Sequence, residues 1–525
     1  YDGQVYNWGG YNAENTFNVN TYWGGIYNQM SYPVDGMAYH NKFNLYSEYG
    51  EVDGMSTDGG SSSTGTWIGN TFDMNSNYGT IYGYGGSLWG AYPGNDKFIS
   101  NVFVANSING DTYMFLDNGN ANSDMYFFNN TFHSNSTGYT NYLVNKQGSS
   151  SYGNMYMYNN IFSKSDVNNT DPLVYIVDTT DWKADYNLYY APGNMDFVFS
   201  ATGAASTLQD WRNNTNRDMN SLIYDPGYTD AANKNFHPQA SDPRAWAVNG
   251  RGMQLEGDTL DADGIMRPKT RQDGVPDLGA YEVTPTSTPP LCDAIPATAV
   301  AGTTQYFLFG QDTAAAITWG PVAPATTEMR QYTGQQVGAP MPSAVGRSFL
   351  WLDLNTGGVY ELAHKPVIYY KDPQLGTVSN ETNAKIANSS NGSPWVGYNY
   401  TNAKVDSLLN WSYPSSDLDS VGKYTIVENA RIGIRCIVNP TNVKVSNITA
   451  FDADLDWDAV FLPTGYQVLV DNIPGTPSSG AAATFSSNNS LHLNSLLRTQ
   501  IIMYTCALSA GRKIHQDGLP FTSKH

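Results

Sequence analysis

Met125-Tyr126-Phe127-Phe128-Asn129-Asn130-Thr131-Phe132 and Met155-Tyr156-Met157-Tyr158-Asn159-Asn160-Ile161-Phe162 share one pattern. A short run of aromatic and large apolar residues leads into paired asparagines, a β-branched residue and a phenylalanine. The core of the pattern, Asn-x-aromatic, recurs at nearly the same interval seven times: Asn15-Phe17, Asn41-Phe43, Asn70-Phe72, Asn101-Phe103, Asn130-Phe132, Asn160-Phe162 and Asn187-Tyr189. The steps between aromatics are 26, 29, 31, 29, 30 and 27 residues. A drifting period of this size marks a solenoid whose coils share a core but differ in their outer loops.

The local composition says what kind of solenoid. The runs are short, rich in aromatic and β-branched side chains, and bounded by turn residues, as strands are. No segment sustains a helical period. Asn suits a corner because it tolerates left-handed backbone angles and bonds its own neighbouring backbone. With coils stacked about 4.8 Å apart, corner asparagines would form a ladder, and the aromatic at the next inward position would stack on its counterparts. The expected fold is all-β: a right-handed parallel β-helix first, then two β-sandwich domains.

At 525 residues the chain has room for several domains. Only 14% of residues are charged, with 27 basic against 47 acidic, net −20. Such a surface repels nucleic acid and anionic membranes, so neither is an expected partner. No apolar run is long enough to insert into a membrane. Abundant Asn, Gly, Ser and Thr with 38 Tyr reads as an extracellular or cell-surface protein, and this aromatic content is too high for disorder. Tyr1 is not an initiator Met and the repeat is under way by residue 15, so the chain reads as processed or as the ordered portion of something longer. Cys292, Cys436 and Cys506 are too few for a disulfide scaffold. A Cys292–Cys436 clamp and three free buried thiols both stay open.

The solenoid, residues 1–283, closes with Asp225-Pro226, Asn235-Phe236-His237-Pro238, Leu260-Asp261-Ala262-Asp263-Gly264, Arg267-Pro268 and Asp277-Leu278-Gly279-Ala280-Tyr281-Glu282. This region resembles the terminal part of secreted bacterial β-helix proteins of the pectate-lyase-like superfamily, including those called choice-of-anchor Q proteins. One scaffold there serves lyases, hydrolases and adhesins, so the resemblance implies a fold and not an activity. Residues 284–290 read as a stiff Pro/Thr linker. Residues 291–437 carry strand-like runs, such as Gln305–Phe309 and Pro366–Tyr370, and read as a β-sandwich of no recognised family. The turn-like run Asp406-Ser407-Leu408-Leu409 is too short to alter that class. Residues 438–525 resemble a fibronectin type III domain through Val443–Thr449, Leu455-Asp456-Trp457-Asp458, Gly465–Val470, Asn494–Leu497, Thr499 and Tyr504. The resemblance implies a central Trp457 and a corner pinned by Tyr504.

Polysaccharide lyases need a base for the proton alpha to a uronate, and a cation for its carboxylate. The candidates Lys42, Lys97, Lys146, Lys164, Lys183, Arg212 and Arg217 are scattered, and His40 and His133 lie near corners of different coils. Hydrolases need carboxylates on one face, whereas Asp53, Asp73, Asp111, Asp117 and Asp124 do not recur at one coil position. No catalytic residue is assigned, and no cofactor is expected. Asp261-x-Asp263-Gly264 has the start of a calcium loop but lacks the further ligands of an EF-hand, and a tight Asx turn explains it better.

The aromatic surplus has a clearer use. Tyr82, Tyr84, Trp89 and Tyr92, with Tyr78, lie among glycines in outer loops and are expected to present flat stacking surfaces to sugar rings. The domain mix resembles secreted proteins of the Bacteroidota, whose O-glycosylation signal is Asp, then Ser or Thr, then a small set of residues. That signal falls at Thr179, Thr259, Thr313, Ser407 and Ser420, and Asn-x-Ser/Thr sequons at Asn380, Asn399 and Asn447. The expected role is that of an extracellular structural or adhesive protein whose partners are polysaccharides or cell-surface glycans. Two alternatives are a polysaccharide-degrading enzyme with a site built across coils, and a filament subunit that associates through the end of the β-helix.

Overall fold

The computed structural model describes residues 3–7, 11–30, 36–57, 65–86, 95–117, 124–148, 153–205, 207–257, 260–337, 346–357, 361–389, 396–397, 404–414, 417–428, 444–447, 453–456, 463–471, 482–486, 490–493 and 502–509. Two consecutive coils show how the repeat becomes structure. Strands Lys97–Ile99, Val102–Ser107 and Thr112–Asp117 make one coil, and Met125–Phe128, Thr131–Ser134 and Asn141–Lys146 make the next. Each strand pairs in parallel with its counterpart, in register: Phe98 opposite Phe127, Phe103 opposite Phe132, Tyr113 opposite Tyr142. Three sheets result, of seven, eight and nine strands, called here faces one, two and three in the order a coil visits them. The first 200 residues are therefore a parallel β-helix.

Parallel register places like side chains directly over one another, and the sequence supplies like side chains at two key rows. Phe17, Phe43, Phe72, Phe103, Phe132, Phe162 and Tyr189 stack down the core with ring centroids 4.6–5.5 Å apart and planes within 12°. Two residues earlier stands the asparagine ladder. Each backbone N–H donates to the Oδ1 of the next coil's asparagine, from Asn15 to Asn41 through Asn160 to Asn187, at 2.9–3.0 Å. Each Nδ2 from Asn41 onward also reaches a carbonyl of the coil before, as Asn101 does to Trp67 at 2.9 Å.

The corner geometry corrects one expectation. The left-handed residue is not the ladder asparagine but the one before it: Glu14, His40, Gly69, Ser100, Asn129, Asn159 and Tyr186, with φ between 51° and 64°. The ladder asparagine already belongs to the strand start, which aims its amide along the stack. Six of those seven left-handed residues are not glycine. Each costs about 1–2 kcal/mol in backbone strain, which the ladder bonds offset.

A helix absent from the sequence reading ends the solenoid. Leu208–Thr215 starts at Thr207, whose hydroxyl accepts from the Asp210 N–H and donates to the Asp210 carboxylate. Thr207-x-x-Asp210 is the short signal that announces it. Trp211 is buried against Phe197. The ladder stops here because Asp218 and Ser221 replace the next asparagine. Ser221 Oγ accepts from the Asn187 N–H at 2.8 Å, while Asp218 accepts from Asn187, Tyr189, Trp211 and Ser221 side chains.

Beyond the helix the chain folds back over face two. Val102 and Val104 form a small outer core with Phe236 and Ala280. Gly279 sits at φ 77°, where an added Cβ would lie 2.5 Å from Ile161. Its N–H donates to the Asn159 carbonyl and that of Ala280 to Thr131 Oγ1. Asp277 accepts from Gly250 and Val283 N–H groups, and Arg267 is buried against Ser100, Gly279 and Glu282. The Asp-Leu-Gly-Ala-Tyr-Glu run is thus a docking segment.

The described strands between residues 291 and 428 form antiparallel sheets, and residues 291–339, 345–393 and 400–429 belong to one compact unit with the β-helix. One sheet runs Asp293–Ile295, Thr304–Phe309, Asp312–Trp319, Glu361–Tyr369, Trp411–Tyr413, Lys404–Asp406, and the other includes Glu328–Thr333, Gly346–Asn355, Lys423–Glu428 and Ala384–Ser389. Asp406 caps the turn after it by accepting from Leu408 and Leu409 N–H groups. The segment read as a linker is tied down on both sides, Thr286 N–H to Ala240 and the Trp246 indole to Ser287. At the join, Tyr224 stacks on Phe309, and Arg251 lies 3.9 Å from that ring's centroid. Asp312 bonds Arg212 at 3.1 Å and Lys371 at 2.8 Å. Burial pushes the Asp312 carboxyl up, but the two cations outweigh it and hold it below the usual range.

The second unit contains residues 430–525. Its sheets are Lys444–Ser446, Ala453–Asp456, Ser490–Leu493 and Ala482–Ser486, Pro463–Asp471, Ile502–Ser509, each antiparallel. With first, second and fifth strands in one sheet and fourth, third and sixth in the other, the order is fibronectin type III-like. Tyr504 falls on the last strand, opposite Leu469, while Trp457, Asn494–Leu497 and Thr499 lie outside the described residues.

Replacing Asn101 by Ala would strand the Asn70 N–H and the Trp67 carbonyl inside the stack. We expect a loss of about 3 kcal/mol or more in urea unfolding, whereas Asn44→Ala on the exposed outer face should stay within about 0.5 kcal/mol. Equal effects would remove the ladder from its structural role.

Candidate functional site

The same stacking operates on the outside of the β-helix. Where face two turns towards face three, five coils share a bend: Thr21-Tyr22-Trp23-Gly24, Ser47-Glu48-Tyr49-Gly50, Ser76-Asn77-Tyr78-Gly79, Ser107-Ile108-Asn109-Gly110 and Ser136-Thr137-Gly138. Serine hydroxyls accept from the glycine N–H at 2.8–3.0 Å in the second to fourth bends. An added Cβ on Gly50, Gly79, Gly110 or Gly138 would meet the carbonyl oxygen of the glycine one coil before at 1.8–2.1 Å. Only glycine lets the bends stack this closely.

In the first three bends the residue before the glycine is an aromatic that points outward. Trp23 and Tyr49 lie 4.2 Å apart at 16°, Tyr49 and Tyr78 4.9 Å apart at 6°, and Tyr22 packs edge-on against Trp23 and Tyr49. Trp23 is 69% exposed and Tyr78 53%. Each is stacked on one side by Tyr49 and keeps more than half of its surface exposed. Beside the row, Tyr46 and Asn77 both donate to Glu48, and these bonds hold its carboxyl below the usual range, Asn77 contributing most.

Tyr78 is the member of this row that the sequence reading named; Trp23 and Tyr49 were missed. The signal that finds them is Ser/Thr-x-aromatic-Gly at residues 21–24, 47–50 and 76–79. A second row, Tyr82, Tyr113 and Tyr142, runs down face three with centroids 5.5 and 5.9 Å apart. Burial pushes the Tyr82 phenol well up, helped by Glu51 and Asp53. Tyr126 and Tyr156 stack likewise on face one, with Lys97 over Tyr126. Tyr84 is a correction. It is fully buried, stacked on Phe115 and edge-on to Phe98 and Phe127, because the alternation that sends Tyr82 outward breaks at Gly83, which the strand register skips. Trp89 and Tyr92 lie outside the described residues.

Of the candidate bases and carboxylates, Lys146 and Asp117 come together, buried and 3.8 Å apart, and the others described below are scattered. Lys146 and Lys164 are buried. Burial pushes the Lys164 ammonium down to about 8, where it bonds the Asn141 and Asp171 carbonyls and Asn169 Oδ1. Lys42 and Lys97 are exposed on different faces, and Lys183 donates to the Thr180 carbonyl. Arg212 is held by Asp312, and Arg217 donates to the Thr179 carbonyl. Asp53 is buried, Asp73 pairs with Lys234 at 2.7 Å, and Asp124 accepts from the Asn154 N–H. Among the described residues no group of three or more His, Cys, Asp and Glu is arranged to hold a metal. Asp261 accepts from the N–H groups of Asp263, Ile265 and Glu282, an Asx turn that fastens the closing segment.

Ser407 is exposed, Thr179 and Thr313 are half-buried, Ser420 stands on the strand Leu418–Ser420, and Thr259 lies outside the described residues. Of the sequons, Asn380 caps a short turn by accepting from Thr382 and Asn447 donates to Asp454, while Asn399 lies outside. Cys292 is a buried free thiol, pushed up to about 12 by its burial. Cys436 lies outside the described residues, and Cys506 stands on the strand Ile502–Ser509.

No family model matches the chain, and no curated protein matches it. A solved structure, the chicken CNTN1 FN1–FN3 domains, aligns at 12% identity over 43% of this chain and 96% of that one. Its TM-score of 0.16 is too low to carry any argument.

His133 supplies a pH test of the packing over face two. It is buried between Ser163 and Asn135, and burial lowers it to about 4 from 6.5. Its folded value lies below its unfolded one, so this contribution is full above pH 6.5 and falls away as pH drops towards 4. The loss should reach about 3 kcal/mol at most. Urea unfolding at stepped pH should show that slope, and His133→Gln should flatten it; an unchanged slope would exclude His133 as its source.

Proposed function

We propose that this chain is an extracellular, secreted or cell-surface protein of structural and adhesive type, whose β-helix docks polysaccharide or cell-surface glycan along the Trp23–Tyr49–Tyr78 row. The observation that carries this reading is the row itself. Three large aromatic side chains are held in solvent by a glycine-built bend, where they contribute little to the core. Aromatic faces attract the C–H faces of sugars, and the phenol hydroxyls and Glu48 add hydrogen-bonding groups beside them. A protein with net charge −20 suits neutral or weakly charged polymers better than strongly acidic ones. The covering segment built on Asp277–Glu282 supports kinship with secreted β-helix proteins of the choice-of-anchor Q type. Burial of Lys146 and Lys164 removes two of the seven basic candidates for polymer cleavage.

The test is sedimentation of the full chain with a panel of neutral and acidic insoluble polysaccharides, with released reducing and unsaturated ends measured in parallel. Binding without release is expected, and Trp23→Ala with Tyr78→Ala should weaken it about tenfold. Release of ends that disappears in Lys42→Ala would make the protein an enzyme and sink this reading. Binding that ignores both aromatic substitutions would move the site elsewhere.

A further inference from the structure

Where face three hands over to face one, the β-helix buries one amine among carboxyls. Lys146 is the last residue of the strand Asn141–Lys146, and Asp117, the last of Thr112–Asp117, is its register partner one coil earlier. Asp181 comes from the following coil, directly before the strand Trp182–Asp185. Lys146 Nζ stands 2.8 Å from Asp181 Oδ1 and 3.8 Å from Asp117 Oδ2, and also donates to the Gly148 carbonyl. Lys146 and Asp117 are wholly inaccessible and Asp181 is 2% exposed. Trp182, Leu143 and Ile176, all buried, belong to the same stretch of core.

We propose that Lys146 and Asp181 join in an intramolecular isopeptide bond, with Asp117 as the proton carrier. Two acids and one amine are held in contact away from water, where separated charges are costly to keep. They are a good amide-forming set. In the reacting form the amine and both carboxyls are neutral. The Lys146 Nζ lone pair attacks Asp181 Cγ to form the C–N bond while the Cγ–OH bond breaks. Asp117 takes the proton from Nζ and passes its own to the departing hydroxyl, so one water leaves and Asp117 ends protonated as it began. No oxidant or external reagent is needed. Fixed contact replaces a bimolecular encounter, and the absence of water opposes hydrolysis. The product removes both formal charges and ties neighbouring coils together, restricting the unfolded chain as any cross-link does.

Tandem mass spectrometry of the proteolysed full chain decides it. The peptides bearing Lys146 and Asp181 should appear joined, lighter together by one water, with the intact denatured chain showing the same deficit. Lys146→Arg should abolish the joined species, and Asp117→Asn should slow its appearance after synthesis by about 100-fold or more. Wild-type chain that yields only separate peptides would overturn the bond and leave a buried ion pair. Joined peptides formed equally fast in Asp117→Asn would overturn the part given to Asp117. The wild-type measurement stands even where a variant does not fold.

Discussion

Parallel, in-register stacking at one strand spacing governs this β-helix. Strands about 4.8 Å apart leave each side chain in contact with its counterpart above and below, so every row must hold groups that tolerate their own kind. Phenylalanine does so by offset stacking, asparagine by donating along the row while accepting from it, and glycine by having no side chain at the bend. Those three solutions account for the core ladder, the corner ladder and the stacked bends. The asparagine ladder also satisfies backbone groups that a sharp corner would otherwise strand in the interior, as the serines do at the bends.

How much of this was legible depended on whether a row repeats one residue type. Asn-x-Phe recurs in register six times and Asn-x-Tyr closes the series at Asn187-Tyr189, so the solenoid, its coil length and both ladders could be read directly. The bend row is nearly as regular, but its aromatic varies between Trp and Tyr and is lost after Tyr78, which hid Trp23 and Tyr49. Tyr84 was misplaced because a glycine-rich run looks like a loop, whereas Ile81–Gly86 is a strand in which Tyr84 faces inward and Tyr82 outward. The terminal helix escaped because its eight residues lack an apolar period and are announced only by Thr207 and Asp210. Lys146, Asp117 and Asp181 come from three coils, and no local spacing connects them.

Stacking also changes what an aromatic-rich chain means for function. Most rings spend their faces on one another, in rows such as Tyr82–Tyr113–Tyr142, and offer solvent only edges and hydroxyls. The rings at the face-two bend differ in exposure, Trp23 and Tyr78 being mostly in solvent while Tyr82, Tyr113 and Tyr142 are half-buried. That contrast narrows a broad aromatic surplus to the Trp23–Tyr49–Tyr78 row, and separates side chains that hold the scaffold from those available to a ligand.

Residue-resolved native-state hydrogen exchange tests the central claim most directly, read at the backbone amides of Asn41, Asn70, Asn101, Asn130 and Asn160. Each of these amides donates to a side chain rather than to a neighbouring strand's backbone. If the asparagine ladder holds the coils together, all five exchange as slowly as the core strand amides, through global opening alone. Exchange at the rates of exposed turns would show that the ladder opens freely in the native state, and that the coils are held by their strands and aromatic core without it.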